Sequence, residues 1–592
     1  LKYKLIGEYE DAQHPINQIL INRGIKDVSK IAADEENINS PAFGEEDVTK
    51  AVNFLQEAIS FESKVCVIVD ADADGFTSAA IIINYLTKMY EKSIEIDEIK
   101  NKIKYILHSG KQHGLQDCYK EIPEDAEFVI IPDAATNDIT EMQYLIDKGI
   151  KILCFDHHES DQYLKDNDNC IIINNQICNY PNKQLSGAGV TWQMCRALDE
   201  CYKDRYDINY ADDLIDLAAL GILSDMESYI ELENRAIIKK GLSNIKNPFF
   251  YYMCEKNKFS IDKMGGINYM SIAFYVTPFI NAVVRSGTME EKDLIFKSML
   301  TTYAFEKIES NKRGHKGELV PRIEEAVRIA ANVKARQTKL QDATMDLLER
   351  RIQSNELTKN GIIILLCEPG EVEKNLAGLC ANKIQAKYQH PCYILTKSKE
   401  QNDKEYFYRG SGRNYSMSEN QDLRQLALST GIPEYVQGHA NAHGASIPES
   451  RIQEFIEATN KLYENISKEP VYWVDFIWEL NKVNPNIILD IADSKDFWGQ
   501  EVPEPYVAIT NILLDSCNIQ LLSPDKNPTI KITLPNNVAI MKFKASEELY
   551  EEMLKPNQTI TAVCRCNENT WMGHTTAQLI IEDYYLEEKW IF

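Results

Sequence analysis

Asp70, Asp72 and Asp74 stand at alternate positions, with Gly75 directly behind them. Carboxylates so close together raise one another's pKa unless a cation sits between them. Further on, Asp133 follows Pro132, Asp156, His157 and His158 are consecutive, and Asp225 follows Ser224. Any one of these alone is weak, since residues 70–74 also read as a solvated acidic turn. Together they offer six carboxylates and two imidazoles. If they converge they demand metal ions, and oxygen-rich sets with an imidazole suit Mn²⁺ or Mg²⁺ better than zinc.

What must position them is written just upstream. Val65–Val69, Phe128–Ile131 and Ile150–Phe155 are apolar runs ending at these groups, and Leu217–Leu223 is a fourth apolar segment. Such runs read as buried strands of a parallel sheet, and a helical pattern from Ser78 to Tyr90 follows the first. Tyr105–Ser109 is a further strand. Residues 61 to about 300 alternate strand and helix, which predicts an α/β, doubly wound parallel sheet. Ligands bind at the carboxyl ends of strands in such sheets, so a sheet would gather all four groups on one edge.

On these residues the sequence resembles the DHH phosphoesterase superfamily and, within it, the RecJ single-strand-specific exonucleases. Asp72-Ala73-Asp74-Gly75, Asp133, Asp156-His157-His158 and Asp225 are similar to the four acidic motifs. Ser186-Gly187-Ala188-Gly189-Val190, Glu233-Asn234-Arg235, and Pro278–Ala282 with Arg285 resemble further RecJ segments, and the likeness runs almost end to end. Gly438-His439-Ala440 to Ala445 resembles the loop of the DHH-associated domain, with Gln437 and His443 departing from its pattern. Asn569–Gly573 and Phe497–Gln500 are similar to the oligonucleotide-binding barrel of RecJ proteins.

The resemblance implies five regions: a helical segment over 1–60, a DHH catalytic domain over 61–315, a connector helix over 316–357, a smaller α/β DHH-associated domain over 358–465, and an OB-like β-barrel over 470–592. The pattern from Pro321 to about Asn355 fits one helix of about 50 Å. Short strands with turn signals after residue 470 fit a small barrel.

The 592 residues exceed one core, and 44% hydrophobic with 26% charged residues is ordinary for a globular chain. No apolar stretch reaches the roughly 18 residues of a membrane-spanning helix, and no signal-peptide pattern opens the sequence. Its 14 cysteines include no Cys-x-x-Cys; scattered thiols favour a reducing, cytoplasmic setting. A net charge of −26 argues against a generally nucleic-acid-binding surface and confines binding to a narrow basic channel and the metals.

The implied reaction is hydrolysis of a phosphodiester with two ions held by Asp72, Asp74, Asp133, His157 and Asp225. Asp70, Asp156 and His158 act at or immediately behind these ligands as catalytic groups. Ser186 and Gly187 at a helix start, Asn281, Arg285, Arg413, His439 and Trp571 are the implied substrate contacts, with Lys111 and His113 as further phosphate contacts. For Trp571 a core position is the competing reading. Single-stranded DNA is the implied partner, cut from its 5′ end by a monomer that works beside a single-strand-binding protein or a helicase, away from membranes. A phosphodiesterase for short RNA or cyclic dinucleotides is the alternative enzyme, and a non-catalytic replication scaffold the alternative outside enzymes.

Overall fold

β-branched runs set the centre of the computed structural model, which describes residues 1–7, 14–31, 35–109, 113–165, 167–203, 208–400, 403–464, 466 and 469–589. Five strands, β1 (Val65–Val69), β2 (Ile103–Leu107), β3 (Phe128–Pro132), β4 (Lys151–Asp156) and β5 (Cys170–Asn174), form one sheet in the order β2-β1-β3-β4-β5. All four pairings are parallel. Every residue of β1 and β3 is buried, as expected where both faces are covered. The chain runs outward from β1 to β2 and then returns to β3 on the other side. That reversal opens a crevice at the carboxyl ends of β1 and β3.

Four helices deliver the remaining groups: α1 (Ala73–Tyr90), α2 (Gly187–Tyr202), α3 (Ile215–Ser224) and α4 (Leu232–Ser243). The fourth apolar run therefore reaches the site as helix α3 and not as a strand of the sheet. Its sequence, rich in Ala and Leu, favours a helix, and it is buried from Ile215 to Leu223 because α1, α2 and α4 enclose it.

Two compact units make up the chain. One comprises Arg23–Gln337 with Lys495–Pro503 and holds the parallel sheet; the other comprises Leu1–Asn22, Thr338–Ser494 and Glu504–Phe592. Helices α5 (Thr277–Ser286) and α6 (Arg322–Ser354) follow, the latter of 33 residues.

In the other unit β6 (Ile363–Cys367), β7 (Cys392–Ser398), β8 (Phe407–Arg413), β9 (Tyr435–His439) and β10 (Ala442–Pro448) pair in the order β9-β10-β8-β7-β6. Helix α7 (Lys374–Tyr388) joins β6 to its parallel neighbour β7. A seven-stranded sheet then runs β11 (Phe476–Trp478), β12 (Tyr506–Leu513), β13 (Asn518–Leu522), β14 (Thr529–Thr533), β15 (Ala539–Phe543), β16 (Gln558–Trp571) and β17 (His574–Glu588), ordered β11-β12-β16-β17-β15-β14-β13. The amino-terminal stretch, read from sequence as helical, also contributes a strand. Lys2–Leu5 pairs in parallel with Val471–Val474.

Candidate metal centre

The crevice gathers the acidic groups of β1, β3, β4 and α3. Asp133 directly follows β3 with φ 68°, and its amide donates to the Phe155 carbonyl at 2.7 Å. A left-handed aspartate is tolerated in a turn and carries the side chain out of the strand register. Neither Asp133 oxygen has a hydrogen-bond partner although both are buried, and Asp74 Oδ2 is in the same state. A buried carboxylate oxygen left so costs free energy unless a cation takes it up.

His157 Nε2 lies 3.2 Å from Asp133 Oδ1 and 3.6 Å from Asp225 Oδ2. Ligand atoms of Asp74, His157 and Asp225 fall within 4.8 Å of one another; so do those of Asp70, Asp72 and Asp133, and those of Asp133, His157 and His158. Asp133 and His157 are each shared between two of these groups, as ligands spanning a two-ion centre would be.

Burial, with the neighbouring Asp72 charge adding to it, pushes Asp74 up to about 6. Burial, then Asp74 and Asp72, raises Asp133 well above the carboxylate range, and burial likewise raises Asp225. For His157 burial works against the charged form, yet Asp133, Glu227 and Asp225 outweigh it and raise its pKa. Asp225 also caps the carboxyl end of α3, where the helix dipole disfavours an anion. A divalent cation removes all of these conflicts at once, so the residues present fit one.

The surroundings hold these groups in place. Asp156 is buried with both oxygens occupied: Oδ2 accepts from Thr136 N (3.1 Å) and Oγ1 (2.6 Å), and Oδ1 accepts from His157 N (2.7 Å) and lies 2.8 Å from His158 Nδ1. Burial works to raise Asp156, but His158, His157 and Thr136 hold it well below the usual range. It orients the two histidines instead of facing the crevice. Asp70 is buried and fixed by His113 Nδ1 (2.6 Å) and Gly114 N (3.0 Å). Asp72 caps α1, accepting from Gly75 N at 2.9 Å.

The start of α2, read from sequence as a substrate contact, packs tightly against carboxylates of the chain itself. Ser186 Oγ donates to Asp74 Oδ1 at 3.0 Å and Ala188 N to the same oxygen at 3.2 Å. A Cβ at Gly187 would overlap Asp133 Oδ1 and sit 2.7 Å from its Cα. The anions at this helix start are the chain's own carboxylates, which the free amides there suit.

Sequence reasoning missed Glu227. Its Oε1 lies 3.1 Å from His157 Nδ1, the carboxylate–histidine pairing that fixes a ligating imidazole. Asp225 N donates to Gly221 O and Glu227 N to Ile222 O, with Met226 left-handed at φ 61°. This is a helix-ending motif that usually shows a glycine, so Met226 conceals it. The spacing Asp225-x-Glu227 was the available signal.

A strap from the carboxyl-terminal part of the chain secures the next residues. Tyr229 N donates to Gln500 O (3.1 Å), Tyr229 Oη to Asp496 O (3.0 Å), and Ser228 Oγ to Glu501 Oε2 (2.5 Å). The buried Arg235 donates to Phe497 O at 3.0 Å, its guanidinium 4.0 Å from the Tyr229 ring centre. Phe497–Gln500, read from sequence as similar to the barrel of RecJ proteins, makes its contacts within the sheet-bearing unit.

Arg285, half-buried on α5, feels burial first and the Asp72 charge second; Asn281 is half-buried one turn earlier on that helix. Lys111 lies outside the described residues. In the other unit Arg413 and His439 both pair with Ala442, from opposite sides, which sets their backbones about 10 Å apart. Arg413 Nη1 donates to Gly412 O at 2.7 Å, and a Cβ at Gly378 of α7 would crowd its Nη2. His439 is exposed. His443 is buried, with Nε2 2.7 Å from Tyr393 Oη and Nδ1 3.3 Å from the His439 carbonyl. It therefore bonds the backbone of His439, four residues earlier. Trp571 is 70% exposed, at the tip of the β16–β17 hairpin beside the left-handed Met572 and Gly573. That excludes its reading as core.

The DHH family, N-terminal domain, matches residues 64–222, and the RecJ OB domain matches residues 474–583. Over 592 residues the sequence is 32% identical to the SPbeta prophage-derived protein YorK of Bacillus subtilis (strain 168), named as a single-strand DNA-specific exonuclease, spanning 99% of this chain and 98% of YorK. The chain belongs to the RecJ-like DHH family. The single-stranded-DNA-specific exonuclease RecJ of Bacillus subtilis is a more distant RecJ-like relative, 24% identical over 92% of this chain and 64% of that protein. The crystal structure of RecJ in complex with Mn²⁺ from Thermus thermophilus shares the RecJ-like fold, with TM-score 0.67 at 18% identity over 97% of this chain and 76% of that one. Among the described residues no helix is long and apolar enough to cross a membrane.

Proposed function

We infer that the protein is a two-metal-dependent exonuclease that hydrolyses single-stranded DNA from the 5′ end, releasing 5′ mononucleotides, in DNA repair or recombination. The observation that carries this reading is the crevice beyond β1 and β3. There buried oxygens of Asp74 and Asp133 have no hydrogen-bond partner, and His157 Nε2 stands 3.2 Å from Asp133. Similarity along nearly the whole chain to a protein named as a single-strand DNA-specific exonuclease supports the choice of substrate.

Asp72, Asp74, Asp133, His157 and Asp225 would hold Mn²⁺ or Mg²⁺, with Asp70 and His158 beside them. The ions would supply Lewis acidity, acidifying a water and drawing off the charge that builds on the attacked phosphate. Glu227 keeps His157 in one tautomer, with Nδ1 protonated and Nε2 turned to the carboxylates. Asp156 holds the His158 ring by its Nδ1 and the turn by the amides of His157 and His158. Arg285, on the Asp72 side, neutralises a non-bridging phosphate oxygen. Arg413 and His439 bind further phosphate oxygens of the strand, and Trp571 offers a face on which a base stacks.

A long single strand labelled in turn at either end, incubated with Mn²⁺, tests the reading. Mononucleotide should appear first from the 5′-labelled strand. Early release from the 3′ label would reverse the polarity. No cleavage of the long strand, with turnover of dinucleotides, would move the substrate to short oligonucleotides.

A further inference from the structure

With 90 acidic and 64 basic side chains, an unpaired cluster of cations runs against this protein's composition. One such cluster lies in the sheet-bearing unit, on the antiparallel hairpin Lys307–Glu309 and Leu319–Pro321 just before α6. Lys307 on its first strand and Lys312, Arg313, His315 and Lys316 in its loop are all exposed. His315 faces Glu318 at 2.9 Å. Among the described residues no carboxylate pairs with Lys307, Lys312, Arg313 or Lys316.

The loop is a fixed shape. Ser310, buried at its base, donates to Glu325 Oε2 (3.1 Å), and Asn311 N to Glu325 Oε1 (2.9 Å). Ser310 N donates to Glu318 O, Gly317 N to Ser310 O, and His315 N to Lys312 O. Gly314 and Gly317 are left-handed, at φ 84° and 83°, which closes the loop tightly. Arg328 Nε donates to Glu325 at 3.0 Å, Glu306 pairs with Arg322 and Glu318 with His315, so these acids of the hairpin are already taken up by other cations. Phe305, 59% exposed at the hairpin base, adds an aromatic face.

The hairpin stands apart from the metal centre: Glu306 at its base pairs with Lys100, which precedes the amino end of β2. Arg336 of α6 binds Glu291 and the Ser286 carbonyl next to Arg285. About 21 Å of helix rise separates Arg336 from the hairpin base at Arg322. A strand whose end lay at the metal centre would need several nucleotides to reach the loop.

We propose that this hairpin is a second contact for the nucleic-acid strand, with Lys307, Lys312, Arg313 and Lys316 binding backbone phosphates away from the catalytic centre. This rests on the single-strand reading above and adds to it a dependence on strand length. Cations on a preformed loop bind phosphate without reading sequence, and that kind of binding weakens steeply with salt.

The test is equilibrium binding of oligothymidylates to the full chain carrying Asp133→Asn, which prevents hydrolysis during the measurement. The loop is compared as wild type, as Lys312→Ala/Arg313→Ala/Lys316→Ala, and as the charge-preserving Lys312→Arg/Lys316→Arg. For a long strand, the triple alanine variant should lower the slope of log K against log salt by about 2, at about 0.7 per lost phosphate contact, and weaken binding about tenfold. The arginine variant should restore both. A strand of a few nucleotides should bind all three alike. Equal affinity and equal slope for the long strand in all three would overturn the proposal. So would loop-dependent binding of polyglutamate without loop-dependent binding of DNA, which would make the surface one for acidic protein. The two readings fail separately. Loop-dependent binding of single strands that the wild-type enzyme does not cut would sink only the exonuclease assignment. Cutting with a loop-independent slope would sink only this contact.

Discussion

His157 has Asp133 and Asp225 on one ring nitrogen and Glu227 on the other. If Nε2 is a metal ligand, the Glu227 carboxylate is what keeps Nδ1 protonated. Glu227→Gln should therefore weaken Mn²⁺ binding about 10- to 100-fold, read by calorimetry or by the free Mn²⁺ signal, with the melting temperature of the metal-free protein nearly unchanged. Equal Mn²⁺ affinity would detach Glu227 from the centre. His443 gives a prediction in pH. Burial lowers it from the ordinary 6.5 to about 4, so the unfolded chain binds a proton that the folded chain refuses between those values. Its contribution to stability is complete above pH 6.5 and is lost as pH falls toward 4, about 3 kcal/mol in all. His443→Asn should flatten denaturant-derived stability across that window. A variant as acid-sensitive as the wild type would refute this. The carboxylates that end strands were legible because an apolar run stopping at an acid is a one-dimensional signal. Glu227 was not, since its partnership arises from a helix-ending turn that Met226 conceals. The polar groups of Ser186 and Ala188 were legible as anion binders, but not that their anion is Asp74.

At the scale of elements, the sheet was readable from β-branched runs and the connector from its helical period. The run before Asp225 was harder. An unbroken buried run from Ile215 to Leu223 satisfies a strand inside a sheet and a helix inside a bundle equally well, and only the packing of α3 among α1, α2 and α4 decides between them. The strap was not readable at all, because Asp496–Glu501 meets residues 228–235 from far along the chain. It bonds the backbone and side chains that directly follow Asp225 and Glu227. Arg235→Ala leaves the Phe497 carbonyl without its donor and removes the stack on Tyr229, at a cost of about 2–3 kcal/mol. Mn²⁺ affinity should fall together with chemical stability. A variant that loses stability while binding Mn²⁺ as tightly as before would show that the strap does not act on the Asp225 turn.

For the whole molecule, a net charge of −26 and a polyanionic substrate are reconciled if cations are concentrated where the strand passes and metals neutralise the acids where it is cut. Part of the apparent excess of acid is then functional. Asp70, Asp72, Asp74, Asp133 and Asp225 bring their carboxylates to one crevice, with Asp156 and Glu227 behind the histidines. If this cluster is the hydrolytic centre, hydrolysis depends on Asp133, a ligand shared between its groups. The most direct measurement is the release of mononucleotides from a long single strand of DNA by the wild type and by Asp133→Ala, purified side by side, with Mn²⁺ and with a chelator. The expected result is metal-dependent release by the wild type and a loss of at least about a thousandfold in the variant, about 4 kcal/mol in the barrier, with the fold retained. Release that persists in Asp133→Ala at the wild-type rate would contradict it.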